Sequence, residues 1–274
     1  MQPENVGISV ILPVYQNDLV EQLSLAIGSI LEQTLQPSEF IIVIDGPISQ
    51  DLHELINDHV HKGNVRKIQI SENKGLAHAL NVGISEARYP LIARMDADDI
   101  SLPERFEIQV KLLLESELDL IGGQIIEFGA DTSDIKSKRI VPTQHEEIVK
   151  FMKLRSPFSH STILFRKSLY DKVGGYSERF KIEDYEFFVR CHQQHAKFGN
   201  TNEVVLFYRV GRAYETFKRR KGPKYARNEI NLYLHFYKLG FYNYADFFKS
   251  LILKLPLRFL PFPIFLRLYM KAAR

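Results

Sequence analysis

The chain has 274 residues, 45% hydrophobic and 25% charged, with a single cysteine, Cys191. This composition excludes a low-complexity or fibrous chain, and one cysteine excludes an internal disulfide, which fits a reducing compartment. The net charge of +3 is uneven: residues 218–274 hold thirteen Lys/Arg against Glu229 and Asp246, or +11, leaving −8 on the first 217 residues. A basic tail on an acidic body points to an anionic partner, a membrane surface or nucleic acid, or else to a solvated basic face.

The N-terminal stretch has no basic region ahead of its apolar run, so it reads as a strand and not as a signal peptide. ISVILPVY (8–15) is continuously apolar and β-branched, as in a strand buried on both faces. Residues 18–35 have helical spacing, with Leu23, Ile27, Ile30 and Leu31 on one face and Asp18 at the N-cap. EFIIVIDG (39–46) predicts a second strand, DLHELINDHVHKG a helix ended by Gly63, and VRKIQI a third strand. GLAHALNVGISEA predicts a helix and PLIARMD a fourth strand. This alternation implies a doubly wound, mostly parallel α/β sheet, whose ligands gather at the carboxyl ends of the strands.

The second hundred residues predict a helix over 103–116, a strand containing a turn in DLIGGQIIEFG, and a polar loop, ADTSDIKSKRIVPTQ. Helix HEEIVKFMKLR, strand STILFRKS, a Gly174-Gly175 turn, helix EDYEFFVRCHQQH and strand EVVLFYRV complete this part. The expected organisation is one α/β domain over 1–215, divided at about residue 100 into two halves, with a helical tail over 216–274. Pro256, Pro261 and Pro263 cut that tail into short helices.

The fourth strand runs into ARMDADDIS, with Asp96, Asp98 and Asp99 within four residues. Carboxylates spaced D-x-D on a turn can share a divalent cation, and hard oxygen ligands suit Mg²⁺ or Mn²⁺. Ser101 and Glu104 match a capping box for the next helix, and Asp99 reads as turn support. Capping leaves Asp96 and Asp98 unexplained. Arg94 precedes them, placed either to salt-bridge the carboxylates or to touch a ligand. The nine histidines show no metal spacing with cysteine, and Cys191 reads as packed inside a helix.

In order along the chain, VILPVY, IIVIDGP, NKGLAHALNVGI, ARMDADDISLPERFEIQV and IEDYEFFVR resemble a family-2 glycosyltransferase of the GT-A fold. The likeness covers about residues 7–210 and is strongest to bacterial transferases that build surface polysaccharide and exopolysaccharide repeat units. It implies an enzyme, a UDP-linked sugar donor, Mn²⁺ or Mg²⁺, and inversion at the anomeric carbon. It assigns Asp98 to the metal, with Asp96 sharing the metal and lying beside the ribose and donor sugar. Pro13, Val14 and Tyr15 match the first nucleotide-binding turn. Asp45 matches the acidic pair that reads uracil, with Ile44 in place of its first acid; one carboxylate still accepts the uracil imide N–H. Asn73 and Gly75 open a helix whose N-terminal N–H groups favour phosphate.

Inverting transfer needs a carboxylate to take the acceptor hydroxyl proton, away from the metal. The resemblance assigns Asp184 as this base, with Glu183 contacting the acceptor or orienting the loop. His160 and Gly175 are the other acceptor-side candidates. In the tail, FLPFPIFL is the longest uncharged run between basic residues, too short for a transmembrane helix. Aromatic bulk beside Lys/Arg suits an anionic membrane interface over 247–274. The acceptor implied is a glycan or a polyprenyl-diphosphate-linked sugar, and the implied location is the cytoplasmic side of the plasma membrane, peripherally bound. A nucleotidyltransferase is the first alternative, but PVYQND lacks its Gly-rich, Arg-bearing loop. A non-catalytic nucleotide-sugar or nucleic-acid binder is the second, and gives no reason for Asp184 or for acidic strand ends.

Overall fold

In the computed structural model of the protein, the described residues are 6–63, 65–210 and 220–265. Strands β1 (Ile8–Val14), β2 (Glu39–Asp45), β3 (Arg66–Ile70) and β4 (Leu91–Arg94) are parallel, in the order β3-β2-β1-β4. Crossovers are made by α1 (Val20–Leu31), α2 (Gln50–His61) and α3 (Leu76–Ser85). Side chains alternate across the sheet. Val10, Leu12, Ile42 and Ile44 meet α1 and α2 on one face, whereas Ile11, Ile41 and Val43 meet α3 on the other. Both faces are covered at the sheet's centre, which is why the middles of β1 and β2 are apolar at successive positions, whereas β3 at the edge, RKIQI, alternates polar and apolar residues.

Gly83 lets α3 lie close to the sheet. A Cβ there would sit 2.7 Å from methyls of both Ile11 and Val43. Gly83→Ala gains helix propensity of about 1 kcal/mol but overpacks a tight contact at a cost of about 1–3 kcal/mol. Urea unfolding should therefore show a net loss of about 1 kcal/mol; a gain would mean that the helix can move away freely.

The remaining elements are β5 (Ile100–Ser101), α4 (Arg105–Glu115), β6 (Leu120–Phe128), β7 (Ile135–Arg139), α5 (His145–Met152), β8 (Leu164–Arg166), α6 (Lys167–Val173), α7 (Glu183–Gln193) and β9 (Phe198–Arg209). Strand β8 is antiparallel to both β4 and β6, and joins the two halves into one sheet. Strand β9 runs parallel to β6 and antiparallel to β5.

Several local expectations are corrected. Asp18 does not cap α1: its Oδ2 accepts the Tyr15 N–H at 2.9 Å, and Leu19 holds the N-cap. The Ser101–Glu104 capping box does not form. Ser101 pairs with Leu206 in β5, its hydroxyl accepts from Gln33 Nε2 at 3.2 Å, and Glu104 itself is the N-cap. The supposed turn in DLIGGQIIEFG is one strand whose register against β9 shifts at Gly122 and Gln124. The supposed polar loop contains β7, and RKSLYDKV turns from strand to α6 at Lys167.

The tail forms α8 (Gly222–Lys238), α9 (Tyr244–Lys254) and a 3₁₀ turn at Pro256–Phe259. It packs on the body: Leu232, Tyr233, Phe236, Phe241 and Tyr242 share a core with Tyr185, Phe187 and Phe188 of α7. Arg258 and Glu229 form a buried bidentate pair at 2.6 and 2.7 Å. No helix among the described residues is long and apolar enough to cross a membrane. Residues 211–219 and 266–274, which the expected domain boundary and tail surface include, lie outside the described residues.

Candidate active site

The carboxyl ends of β1, β2 and β4 lie side by side, because β1 sits between the other two. Pro13 and Val14 end β1, and the Tyr15–Asp18 turn follows. At the end of β2, Asp45 is buried, and its two oxygens accept the N–H groups of Lys74 and Gly75 at 2.8 Å each. Asn73 Nδ2 donates to the Asp45 carbonyl at 3.2 Å. Asp45 therefore fixes the loop that opens α3, and any uracil N–H would share oxygens already in use. Gly75 is the N-cap at φ +94°, a conformation that favours glycine, with open space where a Cβ would stand.

After β4, ligand oxygens of Asp96, Asp98 and Asp99 come within 4.8 Å of one another, and this is the metal-capable cluster found among the described residues. Burial, with Asp96 next, pushes the Asp98 carboxyl up to about 6. Burial, followed by the charges of Asp98 and Asp96, holds Asp99 well above the carboxylate range. Asp98 and Asp99, both raised by burial and by neighbouring carboxylate charge, stand with Asp96 as three hard oxygen donors that fit a divalent cation, whose charge would favour the ionised forms of the two raised groups. Arg94 is buried and grips Asp96 through both guanidinium N–H₂ groups. The salt-bridge alternative for Arg94 is thus the observed geometry.

Two arginines that sequence reasoning passed over hold this loop. Arg105, fully buried on α4, donates to the Arg94 carbonyl at 2.8 Å and to Gln109 Oε1 at 3.1 Å. Arg209, at the end of β9, donates its backbone N–H to Asp99 Oδ1 at 2.9 Å and its Nε–H to the Asp98 carbonyl at 2.8 Å. Asp99 is therefore more than turn support: it joins the cluster and anchors β9. Arg105 was visible within LPERF and Arg209 within FYRV, but neither carries a local signal for a contact with Arg94 or with residues 111 and 110 positions away.

Glu183 and Asp184 occupy the first turn of α7, whose N-cap, Ile182, makes no side-chain cap bond. The helix N-terminus favours such negative charge. Burial, with Asp184's charge next, pushes Glu183 up to about 7; Arg94 and Asp96 also act on it electrostatically. Glu183 thus lies within electrostatic range of Arg94 and Asp96. His160 is half-buried, with Nε2 3.0 Å from the Tyr176 hydroxyl. Burial, with Arg94 second, drives its pKa well below the usual value, so the ring is neutral at pH 7.

Gly175 does not fit an acceptor contact. It is buried at φ +75°, its carbonyl accepts from Arg190 at 2.7 Å, and a Cβ would meet the Tyr170 hydroxyl at 2.8 Å. The Gly-Gly turn is tied to α7 through Arg190, which makes it a fixed support. Cys191 is buried in α7, where burial pushes its thiol up, as expected for a packed cysteine.

The profile of glycosyl transferase family 2 matches residues 9–174. An uncharacterized glycosyltransferase of Haemophilus influenzae is 33% identical over 95% of this chain and 97% of its own length. The UDP-Gal:alpha-D-GlcNAc-diphosphoundecaprenol beta-1,3-galactosyltransferase of Escherichia coli is 31% identical over 95% of this chain and 94% of its own. Among solved structures, the mannosyltransferase PcManGT from Pyrobaculum calidifontis, in complex with GDP-Man and Mn²⁺, has a TM-score of 0.67 and 15% identity, over 97% of this chain and 76% of that one. The parallel β3-β2-β1-β4 sheet ending in an acidic turn and this agreement along nearly the whole chain lead to one conclusion: the chain belongs to glycosyl transferase family 2 and is a glycosyltransferase with the GT-A fold.

Proposed function

We propose that this enzyme moves a sugar from a UDP-sugar to a hydroxyl of a polyprenyl-diphosphate-linked glycan, with inversion, during assembly of a bacterial surface polysaccharide. The observation that carries this reading is the presence of two acidic sets with separate uses: the Asp96–Asp98–Asp99 cluster, and Glu183–Asp184 on α7, whose Glu183 feels the charges of Arg94 and Asp96. The name of the Escherichia coli relative, a transferase using UDP-Gal and a diphosphoundecaprenol-linked acceptor, supports the donor and acceptor classes.

In this reading Asp98, flanked by Asp96 and Asp99, would hold Mn²⁺ or Mg²⁺, and the cation would offset charge on the leaving diphosphate. Arg94 orients Asp96 beside the donor. Pro13, Val14 and Tyr15, together with the Asn73–Gly75 loop braced by Asp45, line the nucleoside side. Asp184 accepts the proton of the acceptor hydroxyl as that oxygen attacks the anomeric carbon. Glu183 contacts the acceptor, and neutral His160, whose ring lies edge-on to Phe188 of the same helix at 6.2 Å, is the further acceptor-side candidate. The enzyme works at the inner face of the plasma membrane, which the basic, aromatic tail touches peripherally.

The test is a panel of nucleotide sugars in thermal-shift assays with Mn²⁺ or with chelator. One UDP-sugar at about 100 times its Kd should stabilise the protein by about 2.7 kcal/mol, and only with metal. Equal shifts from GDP- and UDP-sugars, or shifts indifferent to metal, would count against the donor reading.

A further inference from the structure

Helix α9 and the segment after it have their polarity reversed for a water-facing element. Half of the twelve large apolar side chains exposed among the described residues lie here: Tyr244, Phe248, Ile252, Leu253, Phe259 and Ile264, each at least 50% exposed. Their concentration in about twenty residues makes them a patch and not scattered surface apolar groups. Tyr244, Phe248 and Ile252 are spaced i, i+4, i+8, so they form one stripe along the helix. The opposite face is already used: Ser250 is buried, and Phe247 and Leu251 pack on the core. A helix lying between the core and water would carry polar residues on this outer stripe.

Within the tail itself the exposed charge has one sign. Between residues 220 and 265 the acids are Glu229 and Asp246. Glu229 is buried on Arg258, and Asp246 pairs with Lys153 at 3.0 Å. The exposed charged side chains in this span are Lys224, Arg227, Lys238 and Lys249. An apolar stripe whose own segment exposes only cations is complementary to a surface that is apolar beneath and anionic above.

We infer that the outer face of α9, continued by Phe259 and Ile264, is the surface that inserts into the headgroup region of an anionic phospholipid membrane. This deepens the membrane contact proposed above and rests on that reading, but centres the contact on Tyr244–Ile252. The same helix is linked to the acid-bearing helix: Ser250 Oγ lies 3.3 Å from the Tyr242 hydroxyl, which is 3.3 Å from that of Tyr185, the neighbour of Asp184. Membrane docking would therefore set the catalytic helix at a fixed orientation to the bilayer that carries the acceptor.

The experiment uses the full chain, wild type and the double variant Phe248→Ser/Ile252→Ser, sedimented with vesicles of phosphatidylglycerol and phosphatidylcholine in equal parts, or of phosphatidylcholine alone. Wild type should prefer the anionic vesicles roughly tenfold, and the double variant should bind them roughly tenfold more weakly. Lys249→Gln should weaken binding about fivefold. Because both replaced side chains are exposed, the melting temperature and the metal-dependent UDP-sugar shift should stay unchanged. Equal vesicle binding by wild type and double variant would overturn the inference. So would absence of vesicle binding with dimers of the wild type, but not of the variant, in light scattering, which would make the face a self-association surface. Either failure with an intact UDP-sugar shift leaves the transferase reading standing. Loss of that shift in the wild type itself counts against the transferase reading instead.

Discussion

Asp184→Asn is expected to keep UDP-sugar binding and to lower kcat roughly 10³-fold. The substitution keeps shape and leaves the first turn of α7 in place, but removes the group proposed to take the acceptor proton. Its partner is informative. Glu183, pushed up to about 7 by burial and then by Asp184, divides between acid and carboxylate near neutral pH and can hydrogen-bond the acceptor in either form. Glu183→Gln should therefore raise the acceptor KM more than it lowers kcat. The check is steady-state kinetics of both variants, with donor binding measured separately. Full activity in Asp184→Asn beside an inactive Glu183→Gln would exchange the two roles.

Asp98→Ala is expected to abolish metal-dependent UDP binding, with a loss of roughly 100-fold or more in the affinity for Mn²⁺. The physical ground is a carboxyl raised to about 6 by burial and then by Asp96, among oxygens within 4.8 Å. Such a cluster is strained without a cation and relieved by one. The variant should accordingly melt no lower than wild type without metal, while the stabilisation by Mn²⁺ and UDP disappears. Calorimetric titration of Mn²⁺ with UDP present provides the check. A variant that still binds UDP only with Mn²⁺ would remove Asp98 from the metal site. A variant that simply unfolds would show Asp98 to be a structural support.

The first four strands and three helices were legible because each is a local pattern: the central strands are runs of apolar residues, the edge strand β3 alternates polar and apolar ones, and helices intervene. The acidic turn was legible for a similar reason, since three carboxylates ending an apolar strand are costly without a use. The ordered motifs from VILPVY to IEDYEFFVR led to the family, and the profile match and the relatives bear that out. What escaped the sequence depends on distant pairing. Ser101 looks like a helix cap until β9 arrives to pair with it, more than a hundred residues later. IKSKR looks like a loop because β7 sits at the sheet's margin, paired to β6 alone, with its side chains largely exposed. Gly175 looks like a substrate-facing loop glycine, and only the packing of Tyr170 and Arg190 around it shows a buried joint. Asp99 gains its role from Arg209, which no local window contains.

The central claim is direct displacement at the anomeric carbon by an acceptor hydroxyl whose proton goes to a single carboxylate. The most direct measurement is the anomeric configuration of the product, read by NMR after transfer from an α-linked UDP-sugar to a polyprenyl-diphosphate-linked acceptor with Mn²⁺. A β linkage in the product is the predicted result. An α linkage would contradict the account, because it requires retention and a different use of Asp184.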